Sequence, residues 1–160
     1  VSKHSRKVIY GAIGMSMVYF AWSLAAQMWV MQKVDKQLAD LGLQDAPRLV
    51  TATRFNTLVW QVLVLTPDGV LSGSHSISQD DAAAPLRFQH VASDVALLPK
   101  LANNMALQRL QRFNQGYFIM REVGGKLVIS DVRMGREPHY TFNFAIAQLH
   151  EGTWQELTRR

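Results

Sequence analysis

Twenty-four consecutive residues without a charge, Val8 to Met31, constrain this chain more than any other feature. An α-helix rises about 1.5 Å per residue, so a run of that length reaches across a hydrocarbon core of ~30 Å. Lys3, Arg6 and Lys7 precede the run and Lys33 follows it, while Tyr10 and Trp29 stand near its two ends, where amphipathic rings favour the headgroup level. The pattern predicts a retained transmembrane helix over 8–31, preceded by a basic flank over 1–7. A cleaved signal peptide is the first alternative, with Ser23-Leu24-Ala25 as its small-residue site, but the apolar character continues through Met28-Trp29-Val30-Met31. A buried helix of a soluble protein is the second, and the run exceeds ordinary globular helix lengths.

Ala12, Ser16, Ser23 and Gln27 are spaced by four, seven and four positions and fall on one helical face. Small and hydrogen-bonding side chains on one face are what membrane helices present to one another, because close packing replaces the hydrophobic drive there. The expected partners are therefore the lipid bilayer and other membrane helices, supplied by a further part of the protein or by an oligomer.

The net charge of +5 does not argue for nucleic acid. Four of the 17 Lys and Arg flank the apolar run, leaving 13 against 12 acidic residues beyond it. The basic excess thus belongs to the membrane junction, where it marks the cytoplasmic side and predicts that the following domain lies outside, in a bacterial periplasm or its equivalent, with a bacterial inner membrane as the expected location of the helix. With no cysteine there is no disulfide, thiol nucleophile or thiolate metal site. About 125 residues remain after the helix, enough for one core.

Val34, Leu38 and Leu41 continue a helical repeat into an amphipathic stalk and linker over 32–47, which Gly42 to Pro47 ends. Strands are expected at 49–53, 57–66, 70–77, 86–91, 117–123, 126–132 and 140–149, with hairpin turns at Pro67-Asp68-Gly69 and Gly124-Gly125. Helical signals fill 94–115, interrupted at Pro99. The sum is an α+β domain over 48–150, a mainly antiparallel sheet of about six strands with a helical insertion, followed by a tail over 151–160.

The motifs declare no chemistry. His4, His75, His90, His139 and His150 form no metal-ligand pair by spacing, and there is no P-loop, dinucleotide fingerprint or nucleophile elbow. Asp131 and Arg133, two apart on an expected strand, share a face and can pair. Asn56-Thr57 before a strand reads as turn chemistry. A hydrolytic site made of His75 or His139 with Asp131 is the weakest of the readings.

Phe55-Asn56-Thr57-Leu58-Val59-Trp60, set after a membrane helix and a short stalk, resembles a block of the LexA-binding, inner-membrane-associated hydrolase family, the YdjM-type membrane-bound metal-dependent hydrolases. The likeness continues through Gly73 to Ser76, Arg112-Phe113 with Gly116-Tyr117-Phe118, Leu127 to Gly135, and Tyr140-Thr141-Phe142-Asn143-Phe144. It covers the last membrane helix and the carboxy-terminal domain of that family. The resemblance implies a divalent metal held by His and Asp motifs in membrane segments upstream of this helix, and no family ligand falls on any residue here. Gln61 stands where the family usually has Arg. Asn56, Thr57, Trp60, Asp131 and Arg133 are the polar or large members of the blocks, expected either to brace the fold or to contact a ligand. The alternative to a hydrolase's anchor domain is a stand-alone single-pass envelope protein with a binding or scaffolding domain.

Overall fold

A computed structural model describes residues 3–53, 56–81 and 84–157. Phe55, which opens the first family-like block, lies outside the described residues. A single helix, α1 (Lys3–Asp40), covers both the expected membrane run and the stalk without a break. It is followed by β1 (Arg48–Thr53), β2 (Asn56–Thr66), β3 (Gly69–Ser76), β4 (Phe88–Ala92), two 3-10 turns (Val95–Leu97 and Pro99–Leu101) and α2 (Met105–Asn114). Then come β5 (Phe118–Val123), β6 (Lys126–Asp131), β7 (Gly135–Arg136), β8 (His139–Tyr140), β9 (Asn143–His150) and β10 (Thr153–Glu156). The architecture is α+β with a helical insertion. Its strands form two four-stranded sheets, β1-β2-β3-β4 and β10-β9-β6-β5, and a two-stranded ribbon of β7 and β8, instead of the single expected sheet. Strand β10 falls in the stretch read from sequence as a tail; its partner is β9, across a turn at Glu151-Gly152.

The chain divides into two compact units. The first comprises Val1–Gln44, Val50–Gln61 and Ser74–Leu86. Its helix is of two kinds along its length. From Ser5 to Ala25 the side chains are exposed apart from half-buried Ser23, whereas Ala26, Val30, Val34 and Leu38, one turn apart, are buried. Polar residues flanking that buried stripe tie it to the unit. Gln27 Nε2 donates to Val50 O at 3.1 Å and Lys33 Nζ to Asp81 O at 3.2 Å. Gln37 both donates to Leu86 O and accepts from Leu86 N, each at 2.7 Å, as a strand neighbour would. The helix stops where Gly42 takes φ +72°, with Leu43 N donating to Leu38 O and Gly42 N to Ala39 O. That is a Schellman motif, and only glycine adopts its left-handed position without strain.

The second unit comprises Asp45–Leu49, Val62–Gly73 and Arg87–Arg160. Alternation along β5 divides its side chains between two cores. Phe118 and Met120 join Leu127, Ile129 and Ile146 beneath α2 and the 3-10 turns, which contribute Leu97, Leu98, Leu101 and Leu107. Tyr117 and Ile119 join Leu63, Val70, Val91 and Val132 on the other side. The Gly124-Gly125 turn closes the β5–β6 hairpin, with φ of +58° and +71°. Asn104 starts α2: its Oδ1 accepts from Leu107 N at 2.8 Å, and its Nδ2 donates to Ile146 O at 3.3 Å.

Candidate functional site

Asp131 and Arg133 meet in the second unit, but across a turn and not along one face of a strand. Strand β6 ends at Asp131, whose N–H donates to Phe142 O, and the following turn swings Arg133 back over the carboxylate. Asp131 Oδ1 accepts from Arg133 N and Nε, both at 3.0 Å, and Oδ2 accepts from Nη2 at 2.6 Å and Nε at 3.2 Å. Asp131 is 2% exposed, and the Arg133 side chain 26%. The guanidinium also stands 5.1 Å from the centroid of the Phe113 ring. Its donation to Asp131 pushes its pKa above the usual arginine range. Both carboxylate oxygens are thus engaged by one arginine across a turn.

Asn56, Thr57 and Trp60 belong to the first unit. Asn56 Oδ1 accepts from Leu58 N at 2.7 Å, the local turn chemistry expected of Asn before a strand. Trp60 is buried, and its Nε1 donates to Thr57 O at 3.0 Å. Gln61 is buried on the same strand. The segment from Asn56 to Trp60 is thus knitted to itself.

The stripe expected to pack against other helices divides as well. Ser16 Oγ donates to Ala12 O at 3.0 Å within the exposed half of α1, while Gln27 spends its amide on Val50. Trp29, expected at the headgroup level, sets its ring 5.5 Å from that of His75.

His75 is a buried polar group that the sequence offers only in the weakest of its readings. It is 2% exposed on β3, with Nδ1 at 3.1 Å from Asp80 Oδ2, and its Nε2 is buried without a partner. Asp80 also accepts from Ser76 N at 2.7 Å, which is the main cause of its lowered pKa. Burial lowers the His75 pKa, and the positive charge of Lys33 adds to the effect against the pull of Asp80. His75 was legible as a strand residue between two serines; its partner Asp80, in the loop beyond, carried no signal. A second group missed from sequence is Arg121 with Glu137, paired at 2.6 Å. Near it the Tyr140 hydroxyl is pushed up to about 12 by burial and by the negative charge of Glu137.

His75 is committed to Asp80 and Asp131 to Arg133, and His139 is exposed on β8. Among the described residues no three of His, Asp and Glu gather as metal ligands do. A cleft of about 300 Å³ in the second unit is lined by Leu65, Thr66, Ser93, Val95, Gln111 and Phe118, among others, none of them titratable. Its hydroxyls are engaged: Thr66 donates to Asp68 Oδ1 at 2.9 Å, and Ser93 accepts from Met120 N at 2.9 Å. No family model, curated protein or solved structure matches the chain.

Proposed function

We propose that this chain is a membrane-anchored, extracytoplasmic α+β module with a positioning role, the carboxy-terminal part of a membrane-bound metal-dependent hydrolase of the YdjM type. One observation carries the anchoring: α1 is long and apolar enough to cross a membrane, and no part of its most apolar window is buried. The uncovered stretch from Val8 to Ala25 measures about 27 Å as a helix, close to the ~30 Å of a hydrocarbon core. Because burial begins at Ala26 within the same rod, the bilayer would end there and not at Met31, with the first unit mounted on it without a flexible linker. The hydrolase membership rests on the family-like blocks, and the metal site belongs, on this reading, to membrane segments upstream.

Alkaline extraction of membranes from cells expressing the chain tests the anchor, which predicts retention in the pellet. Metal analysis of the purified chain tests the division of labour; stoichiometric, tightly bound zinc or another transition metal would sink it.

The stand-alone envelope protein has an observation of its own. The two stripe residues most in need of neighbouring helices, Ser16 and Gln27, are satisfied within the chain. The genomic reading frame upstream of Val1 separates the two. Further hydrophobic segments with His and Asp motifs support the hydrolase, whereas a start codon supports the single-pass protein.

A further inference from the structure

We propose that the outward face of α2 docks onto anionic phospholipid headgroups. Met105, Arg109, Arg112 and Phe113 fall within about a 100° arc of α2 at 100° per residue. The opposite arc, with Leu107, Leu110 and Asn114, is spent on the core and its margin. The fold therefore has no use for the apolar residues left outside, yet Met105 is 54% and Phe113 68% exposed. Phe113 is further held in place by Arg133, whose charge Asp131 balances. Arg109 and Arg112 are exposed, and α2 contains no acidic residue to balance them. Among the described residues neither has an ion-pair partner.

Charge complementarity selects the occupant. Two unpaired guanidinium groups beside an exposed ring and a thioether suit a surface that offers phosphates above and acyl chains below. An aromatic ring rests at that boundary, and guanidinium forks bind phosphate oxygens bidentately. The docking rests on the membrane-anchor reading, since α1 is what keeps α2 at the high local lipid concentration that so small a basic face needs.

The absence of native cysteine allows a single reporter. The full chain carrying Met105→Cys, labelled with an environment-sensitive fluorophore, is reconstituted into nanodiscs of phosphatidylcholine alone or of a mixture rich in phosphatidylglycerol. Docking predicts a blue-shifted label, shielded from acrylamide, in the anionic discs only, and loss of that shielding at high salt. Arg109→Gln with Arg112→Gln lowers the docked-to-undocked ratio about 30-fold, each arginine near an anionic surface accounting for about fivefold. Both side chains are exposed, so the melting midpoint stays that of the parent. Equal exposure of the label in both kinds of disc, or shielding that survives the double substitution, overturns the proposal. Shielding that follows the number of chains per disc, whatever the lipid, assigns the face to a second copy and overturns it too. A chain that never associates with discs breaks the anchor reading and the docking with it, whereas a chain held in both discs with an exposed label breaks the docking alone.

Discussion

The two halves of α1 are built from similar residues and end in opposite surroundings. Tyr10, Met15 and Val18 are 72%, 76% and 71% exposed, whereas Val30, Val34 and Leu38 are wholly buried. Hydrophobicity alone does not separate them. What differs is periodicity: the second half repeats its buried residues every four positions, with Gln27, Lys33 and Gln37 beside them bonded to the first unit. The first half is apolar nearly all round, the pattern of a helix meant to be surrounded. A charge-based reading places the boundary at Lys33, where water is first tolerated; the packing boundary lies earlier, at Ala26, where protein first covers the helix.

The sharpest way to break this contrast is to place the same charge in each half. Val34→Asp puts an unpaired carboxylate into a fully buried position and is expected to destabilise the first unit by about 3–5 kcal/mol. Thermal unfolding in detergent reads this as a large fall in midpoint. Val18→Asp is expected to leave that midpoint nearly unchanged and instead to lower the fraction of chain retained by alkaline-washed membranes. Similar midpoints for the two variants would mean that the halves are not different after all.

The second unit offers a comparison on a smaller scale. Asp131→Ala strips Arg133 of four hydrogen bonds, and the midpoint should fall by an amount equivalent to about 2–3 kcal/mol. The cost stays below that at Val34 because Arg133 retains some access to water. An unaltered midpoint would favour a ligand-contacting role for the pair over a bracing one. Smaller again is Asn104→Ala, which removes the cap of α2 and the bond to Ile146 at about 1–2 kcal/mol. Asn104→Ser keeps the capping oxygen and should recover part of that loss, as helix content by circular dichroism would record.

Local chemistry was the legible part of the fold. Gly42 ends α1, Gly124-Gly125 closes β5 onto β6, and the Asp131–Arg133 spacing gives a pair, because each is decided by residues within a few positions. The division of the strands into two sheets was not legible. It depends on which strand pairs which across the helical insertion, and alternation alone says nothing of that. Strand β10 was overlooked because Thr153-Trp154-Gln155-Glu156 is mostly polar; its place comes from the turn at Gly152 and from Trp154 reaching the core beneath α2. At the candidate site Asp131 with Arg133 and the Asn56 turn could be anticipated, while His75 with Asp80 could not. A loop aspartate gains meaning only once folding buries the imidazole it faces.

That buried imidazole supplies the last test of the contrast within α1, because the covered half is the one it touches. His75 faces Trp29 and Lys33 of α1 and Asp80 of the loop after β3. Burial is the first cause of its lowered pKa and Lys33 the second, while Asp80 opposes both without prevailing. A proton added at Nε2 would find no acceptor. In the unfolded chain the ring titrates at its ordinary value near 6.5. Between that value and the lower folded one the unfolded state holds the extra proton, so stability is full above about 6.5 and is lost as pH falls through the folded pKa. Asp80 has its own lowered pKa and contributes a separate loss below its ordinary 3.8, outside this window. Melting midpoints of the parent and of His75→Gln, taken from neutrality into mild acid, should therefore diverge in slope: the parent falls, and the variant is nearly flat. Trp29 fluorescence is expected to change along with the parent's midpoint, since the ring next to it is the one that takes the proton. Parallel slopes would show that the docking of the covered half does not depend on a neutral His75.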